Sequence, residues 1–228
     1  MRSAALLVGL VCLGCQVQTI KWSYTPEPRK TRAPLIARSV AVPPAIDQRA
    51  DDNVDWVAFD IYPLVPYGWY AYTRPEKETA LPMSGNMRCF RPDEDIAVAV
   101  AAELQASGLF DEVFYASHAP KGTLELSVTI ESTLAEGKVN TYGLSMAGPV
   151  LWLVGLPSGS ISSELKLAFE LKEQATGRSL WSARSERLID ERFYGVYSPS
   201  PGFQFDAMLK DMLVNEVLPA LERLPPTP

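Results

Sequence analysis

Apolar and polar side chains alternate strictly in two stretches of the chain, and this alternation predicts half-buried β-strands. Residues 124–130 carry an apolar side chain at every second position, and residues 165–171 show the same pattern. The second stretch is followed by the turn 174–177, whose last residue is a glycine and tolerates a positive φ. A return strand then begins near Leu180, so we expect a β-hairpin here.

Two further segments space their apolar residues with the period of a helix. Residues 92–107 begin with a proline and three acidic side chains, which suit the first turn of a helix, and Gly108 is placed to end it. The second predicted helix runs from Phe203 to Leu224. Pro219 is expected to kink this helix near its end.

Shorter apolar segments complete the predicted architecture. Leu35–Pro43 is rich in β-branched residues and predicts a first strand, and residues 111–117 predict another short one. Together these elements predict an α+β fold. We expect a two-layer sandwich with a mostly antiparallel sheet of about four to five strands and two main helices on one face.

An aromatic-rich region lies between the first predicted strand and the first predicted helix. Prolines interrupt this region, so it is not expected in the centre of a sheet. We favour a loop packed over the sheet, and a recognition surface is the alternative. Its aromatic members are Trp56, Phe59, Tyr62, Tyr67, Trp69, Tyr70 and Tyr72.

The composition narrows the functional classes. The chain has 228 residues and a formal net charge of −6, which argues against a broad nucleic-acid-binding face. A single histidine, His118, and 3 cysteines leave little material for a multi-histidine metal site or a disulfide scaffold. The sequence also holds no HExxH, no GxSxG and no glycine-rich phosphate-binding motif. We therefore expect no cofactor, no metal ion and no enzymatic activity.

The first fourteen residues have the make-up of a secretory signal. Arg2 precedes an apolar run that has about half the roughly 20 residues needed to cross a bilayer. The run ends in Leu13-Gly14-Cys15, which resembles the lipobox of bacterial lipoproteins, although Cys12 stands where that family usually has leucine. The resemblance implies cleavage before Cys15 and acylation of that residue, with palmitate among the acyl chains. The alternatives are a plain secretory signal with a chance cysteine and a buried N-terminal strand.

The same resemblance implies a location in the bacterial cell envelope. Gln16 is permissive for transfer to the outer membrane, which would leave the body facing the periplasm. Residues 15–34 hold three prolines and a basic cluster, and they predict a flexible tether. Residues 35–228 are then expected to form a single domain, in which Cys89 is the one remaining thiol.

An apolar insertion at residues 140–160 separates two predicted strands. Val150, Leu151, Trp152, Leu153 and Val154 form an unbroken apolar run inside it. Three interpretations remain open: a buried element over the core, a contact with a partner protein, and a contact with the membrane interface. We favour burial because large exposed apolar patches are uncommon. The membrane interpretation is the weakest, because the insertion contains no lysine or arginine.

The body also resembles a wider group of envelope lipoproteins over residues 37–130. A strand, a helix ending in Ser107-Gly108-Leu109-Phe110 and a further strand are similar to transport-auxiliary lipoproteins of ABC systems and to activator lipoproteins of penicillin-binding proteins. The resemblance implies a small adaptor fold without naming a partner. The leading hypothesis is a lipid-anchored, non-catalytic adaptor or accessory subunit for another envelope component. A lipid-binding transport lipoprotein and an extracytoplasmic hydrolase are the alternatives.

Overall fold

The structure is a computed structural model that describes residues 19–28, 33–56, 69–74, 78–80, 87–117, 123–144, 147–194 and 204–224. Within these residues, twelve strands form a large and a small sheet. The strands are β1 (Thr19–Lys21), β2 (Val40–Val42), β3 (Ile46–Asp47), β4 (Val54–Trp56), β5 (Trp69–Tyr72), β6 (Glu78–Ala80), β7 (Met87–Cys89), β8 (Val113–Tyr115), β9 (Leu124–Ser132), β10 (Ala135–Val139), β11 (Gly159–Glu173) and β12 (Arg178–Phe193). The helical segments are α1 (Pro92–Ser107), α2 (Pro149–Leu153), α3 (Phe205–Met212), a π-helical turn (Leu213–Val217) and α4 (Leu218–Glu222).

The two longest strands of the large sheet, β11 and β12, form a hairpin. Its strands are antiparallel, and the turn between them ends at Gly177, whose φ of 68° is in the left-handed region. Leu165, Leu167, Phe169 and Leu171 are buried on one face of β11. The opposite face is polar, with the Lys166 ammonium bonded to carboxylates on its own strand and on β12. The predicted hairpin and its buried face are therefore confirmed.

The large sheet has nine strands and mixes parallel with antiparallel pairs. The free side of β11 pairs first with β10 and then with β9, and both pairings are antiparallel. Beyond β9, the strands β2 and β3 run parallel to it, and β8 runs parallel to β2. Beyond β10 come β5 and β4, both in antiparallel pairs. A separate small sheet has the order β1, β7, β6.

The predicted fold class is wrong in its sheet and in its helices. A sheet of nine strands with parallel members replaces the expected four to five mostly antiparallel strands. Among the described helices only α1 is long and uninterrupted, so the expectation of two main helices also fails. The physical reason is that β3, β4 and β5 have only two to four residues each, which is too short for a periodic pattern in the sequence. The parallel direction of β2 depends on pairing with strands that are distant in the chain.

Helix α1 has the bounds that the sequence predicts. The backbone N–H of Arg91 donates to the Asp95 carboxylate, and Gly108 ends the helix with a φ of 65°. Ile96, Val100 and Leu104 are fully buried against β2, β8 and β9. The helix therefore covers one half of the buried sheet face.

The C-terminal helical segments cover the other half of the same face. Met208, Leu209 and Met212 of α3 join the core over β11 and β12. The π-helical turn lies just before Pro219, which has no N–H for a regular helical bond and whose ring crowds the preceding turn. The predicted disturbance by this proline is therefore a widened helical turn. Arg187 of β12 holds the helical segment on the sheet through ion pairs with Asp211 and Glu216.

Candidate functional site: an exposed apolar patch

The insertion between β10 and β11 exposes its apolar residues instead of burying them. Val150, Leu153 and Val154 are 61%, 58% and 73% exposed, and no residue of α2 is buried. The favoured interpretation of burial is therefore wrong. We use the name apolar patch for six exposed apolar side chains of this segment, namely Tyr142, Leu144, Val150, Leu153, Val154 and Leu156.

The first part of the insertion is held in a strained but well-bonded conformation. Tyr142 has a φ of 57°, which is unusual for a residue with a side chain. Its phenolic hydroxyl crosses the loop and donates to the carbonyl of Pro157 at 2.6 Å. The backbone N–H of Asn140 also donates to the carbonyl of Ser158 at 2.9 Å. These hydrogen bonds join the two ends of the insertion, so the loop that carries the patch is held in one conformation.

Trp152 fixes the short helix α2 and is not the most exposed part of the patch. Its indole N–H donates to the carbonyl of Asn140 at 2.8 Å, and the side chain is half-buried. Gly148, just before α2, lies so close to Thr141 that an added Cβ would be 2.6 Å from the carbonyl oxygen of that residue. The most exposed apolar side chains of the patch are therefore Val150, Leu153 and Val154.

The base of the insertion is joined firmly to the end of the hairpin. The backbone N–H and the hydroxyl of Ser158 both donate to the carbonyl of Phe193, at 2.9 and 3.0 Å. Gly159 has no room for a side chain, because its Cβ would lie 2.3 Å from the Phe193 ring. The apolar patch is thus mounted on the longest strands of the sheet.

Charge is absent from the insertion itself. Residues 140–160 contain no aspartate, glutamate, lysine or arginine. An uncharged and mostly apolar surface of this kind suits the dry centre of a protein interface. Its chemistry is therefore recognition by burial of apolar area.

A cavity of about 510 Å³ at the start of α1 is chemically different from the patch. Charged side chains dominate its lining, among them Asp47, Arg49 and Arg74. The Asp47 carboxylate accepts bonds from Arg49 at 2.8 Å and from Arg74 at 2.9 Å. The hydrogen bonds from Arg49 are the main cause that lowers the pKa of Asp47 to about 2. A carboxyl held ionised in this way is a poor proton donor at neutral pH.

The sequence missed this ion-pair network because its members are far apart in the chain. Arg49 also donates to the buried Thr133 hydroxyl at 2.7 Å, which ties β3 to the short break between β9 and β10. An arginine two residues after Asp47 is the only local signal for the pair in the sequence. Among the described residues, no group of three metal-ligating side chains is close enough to hold an ion.

Other residues that the sequence singled out are only partly described. In the aromatic-rich region Trp69 is 45% exposed, and Tyr72 is half-buried against the core. Cys15 and His118 lie outside the described residues, as do Phe59, Tyr62 and Tyr67. No helix in the described part of the chain has the length and apolarity that a membrane span requires.

A comparison with solved structures shows a distant likeness of fold. No family model matches the chain, and no curated protein matches it. A crystal structure of protein XCC0632 from Xanthomonas campestris, described under the family model DUF330, matches with a TM-score of 0.47 and 13% sequence identity. The match covers 90% of this chain and 95% of that chain. A likeness this distant carries no argument about function.

Proposed function

We propose that this protein is a lipid-anchored, non-catalytic envelope lipoprotein that serves as an adaptor or accessory subunit for another envelope protein. Cys15 carries the acyl chains, and the body faces the periplasm from the outer membrane. The apolar patch is the surface that binds the partner. The observation that carries this proposal is the exposure of Val150, Leu153 and Val154 at the end of a rigid hairpin.

The physical case for a binding surface is the cost of leaving the patch in water. Apolar area contributes about 25 cal/mol per Å² when it is removed from water, so a partner that covers the patch gains affinity from each of these side chains. The bonds made by Tyr142 and Trp152 already order the loop. Less conformational entropy is therefore lost on binding than with a loose loop.

A protein partner fits the patch better than the bilayer surface does. Elements that lie in the membrane interface usually carry lysine or arginine for anionic headgroups and expose tryptophan to the headgroup region. Here the insertion lacks basic residues, and Trp152 is turned towards the carbonyl of Asn140. The alternative of a lipid carrier lacks support at the cavity near α1, because charged side chains line it.

The partner-binding role is tested with two leucines of equal exposure. Leu153 in the patch and Leu188 on β12 are both 58% exposed. Once crosslinking in native membranes has identified a partner, Leu153→Asp is expected to weaken its binding at least about tenfold, since an interfacial leucine contributes on the order of 1.5 kcal/mol. Leu188→Asp should leave the affinity unchanged. Equal loss in both variants, or no loss in either, would remove the patch from the binding account.

The lipid anchor needs a separate test. Cys15→Ser is expected to abolish metabolic labelling with palmitate and to release the body from the membrane fraction. Continued labelling of this variant would contradict the assignment of Cys15 as the attachment site.

A further inference from the structure

Residues 22–28, which we call the strap, lie on the helical layer, although the sequence places them in a flexible tether. The Trp22 ring stacks on Phe90 with a centroid distance of 4.7 Å, and Phe90 stacks on Phe205 at 5.7 Å. Phe90 comes just before α1, and Phe205 is the first residue of α3. This stack therefore joins the strap to the beginnings of both helices.

A buried carboxyl group on α1 holds the middle of the strap. Glu103 is 1% exposed. It accepts a hydrogen bond from the Tyr24 hydroxyl at 2.7 Å and two from the backbone N–H of Glu27 at 3.2 Å. Burial, together with this carboxyl, raises the pKa of Tyr24, so its hydroxyl keeps the proton that it donates. Undocking would leave Glu103 without these partners in an apolar setting, which is costly.

Lys210 of α3 holds the strap from the other side. Its ammonium group donates to the carbonyl of Thr25 at 3.2 Å and pairs with the Glu27 carboxylate at 3.1 Å. Residues ahead of the strap extend the attachment, because β1 pairs in parallel with β7. The segment is thus fixed from Thr19 onwards.

The attachment changes how far the body can move from its anchor. Only three residues lie between Cys15 and Thr19, so the connection is four residue steps long. Four residues span at most about 14 Å, whereas a free tether from residue 15 to residue 34 would span roughly 65 Å. We propose that the docked strap holds the body against the lipid bilayer, with the small sheet of β1, β6 and β7 nearest to the membrane surface. This proposal rests on the proposed acylation of Cys15.

Energy transfer from the body to labelled lipids measures this distance. A donor dye is placed on Ala207→Cys, an exposed position of α3 two residues after Phe205, in a Cys89→Ser background. The acylated protein is reconstituted in vesicles of phosphatidylethanolamine and phosphatidylglycerol that carry an acceptor on the headgroup. A flexible insertion of 20 Gly and Ser residues after Val17 adds about 25 Å of mean reach and should lower the transfer at least about twofold.

Variants of the strap itself test the attachment. The double variant Trp22→Ala, Tyr24→Phe should lower transfer as the insertion does, because β1 has only 3 residues and is too short to stay paired once the strap is released. Tyr115→Phe, which removes an exposed tyrosine hydroxyl on β8 outside the strap and outside the apolar patch, should not. Transfer that is unaffected by the insertion, in protein that is firmly anchored, overturns the inference and leaves the lipid anchor standing.

Hydrogen exchange on soluble Cys15→Ser protein separates the two proposals. The Glu27 amide, bonded to Glu103, should exchange at least about a hundredfold more slowly than in a free peptide, as expected for a site that opens only with a few kcal/mol. Exchange at the free-peptide rate overturns the docked strap whatever the anchor does. Protection of this amide in a native chain that fails to bind membranes overturns the anchor, and with it the membrane-facing surface.

Discussion

Replacing Asp47 by asparagine removes the charge at the centre of the ion-pair network beside α1. The Arg49 side chain is 5% exposed and that of Asp47 is 19% exposed, so solvent screens this pair less than an ordinary surface pair. The difference between an ordinary pKa of 3.8 and a folded pKa of about 2 corresponds to about 2 kcal/mol of stability at neutral pH. Arg74 is 44% exposed, so its share is largely screened and this figure is an upper bound.

The sign of the pH dependence follows from the lowered pKa. Asp47 stabilises the fold fully above its unfolded pKa of 3.8, and the contribution is lost as the pH falls through the folded pKa of about 2. The native protein should therefore exceed Asp47→Asn by about 2 kcal/mol in free energy of unfolding at pH 7 and by about 1 kcal/mol at pH 3.

Urea unfolding followed by tryptophan fluorescence measures both free energies. Asp51→Asn is the matched control, because Asp51 is an exposed aspartate four residues away. It should cost less than about 0.5 kcal/mol at either pH. A cost of Asp47→Asn that does not change between pH 7 and pH 3, or that equals the cost of the control, would refute the role given to this ion pair.

Three other substitutions test the frame of the apolar patch and the hairpin. Gly159→Ala should lower the free energy of unfolding by about 1–3 kcal/mol, because its Cβ meets the Phe193 ring; an unchanged urea midpoint would contradict the close approach. Gly177→Ala should lower the free energy of unfolding, measured by calorimetry, by about 1 kcal/mol, because a side chain is strained at this positive φ. A gain in stability would show that the turn has another conformation. Trp152→Phe should lower the free energy of unfolding by about 1 kcal/mol and speed amide exchange in α2, because the indole hydrogen bond is lost. Unchanged exchange would show that this bond does not hold α2 in place.

The parts of the fold that the sequence predicts correctly are those with a local period. Helix α1 and the β11–β12 hairpin each repeat their apolar positions over several turns or residue pairs, and a glycine marks the end of the helix and of the turn. The parallel direction in which β2 and β8 pair leaves no such trace. The partners of β2 are β8 and β9, which follow it by about 70 residues or more, and short strands gain their stability from such distant pairings.

The sequence identified the residues of the candidate site but did not predict that they are exposed. An unbroken apolar run such as Val150–Val154 has the same sequence pattern in a core and on a surface, because burial depends on what the rest of the chain places over it. The strap shows the opposite case. Its prolines indicate a tether, yet Trp22 and Tyr24 find an aromatic stack and a buried carboxyl on elements that are distant in sequence.

Site-specific photocrosslinking from the apolar patch tests the central claim most directly. A photoreactive residue at position 153 in native membranes should give a discrete product with one envelope protein, and Val154→Asp should abolish that product. The same photoreactive residue at position 188 should not give it. Products only with lipid, or the same products from both positions, would contradict the claim that this patch binds a partner protein.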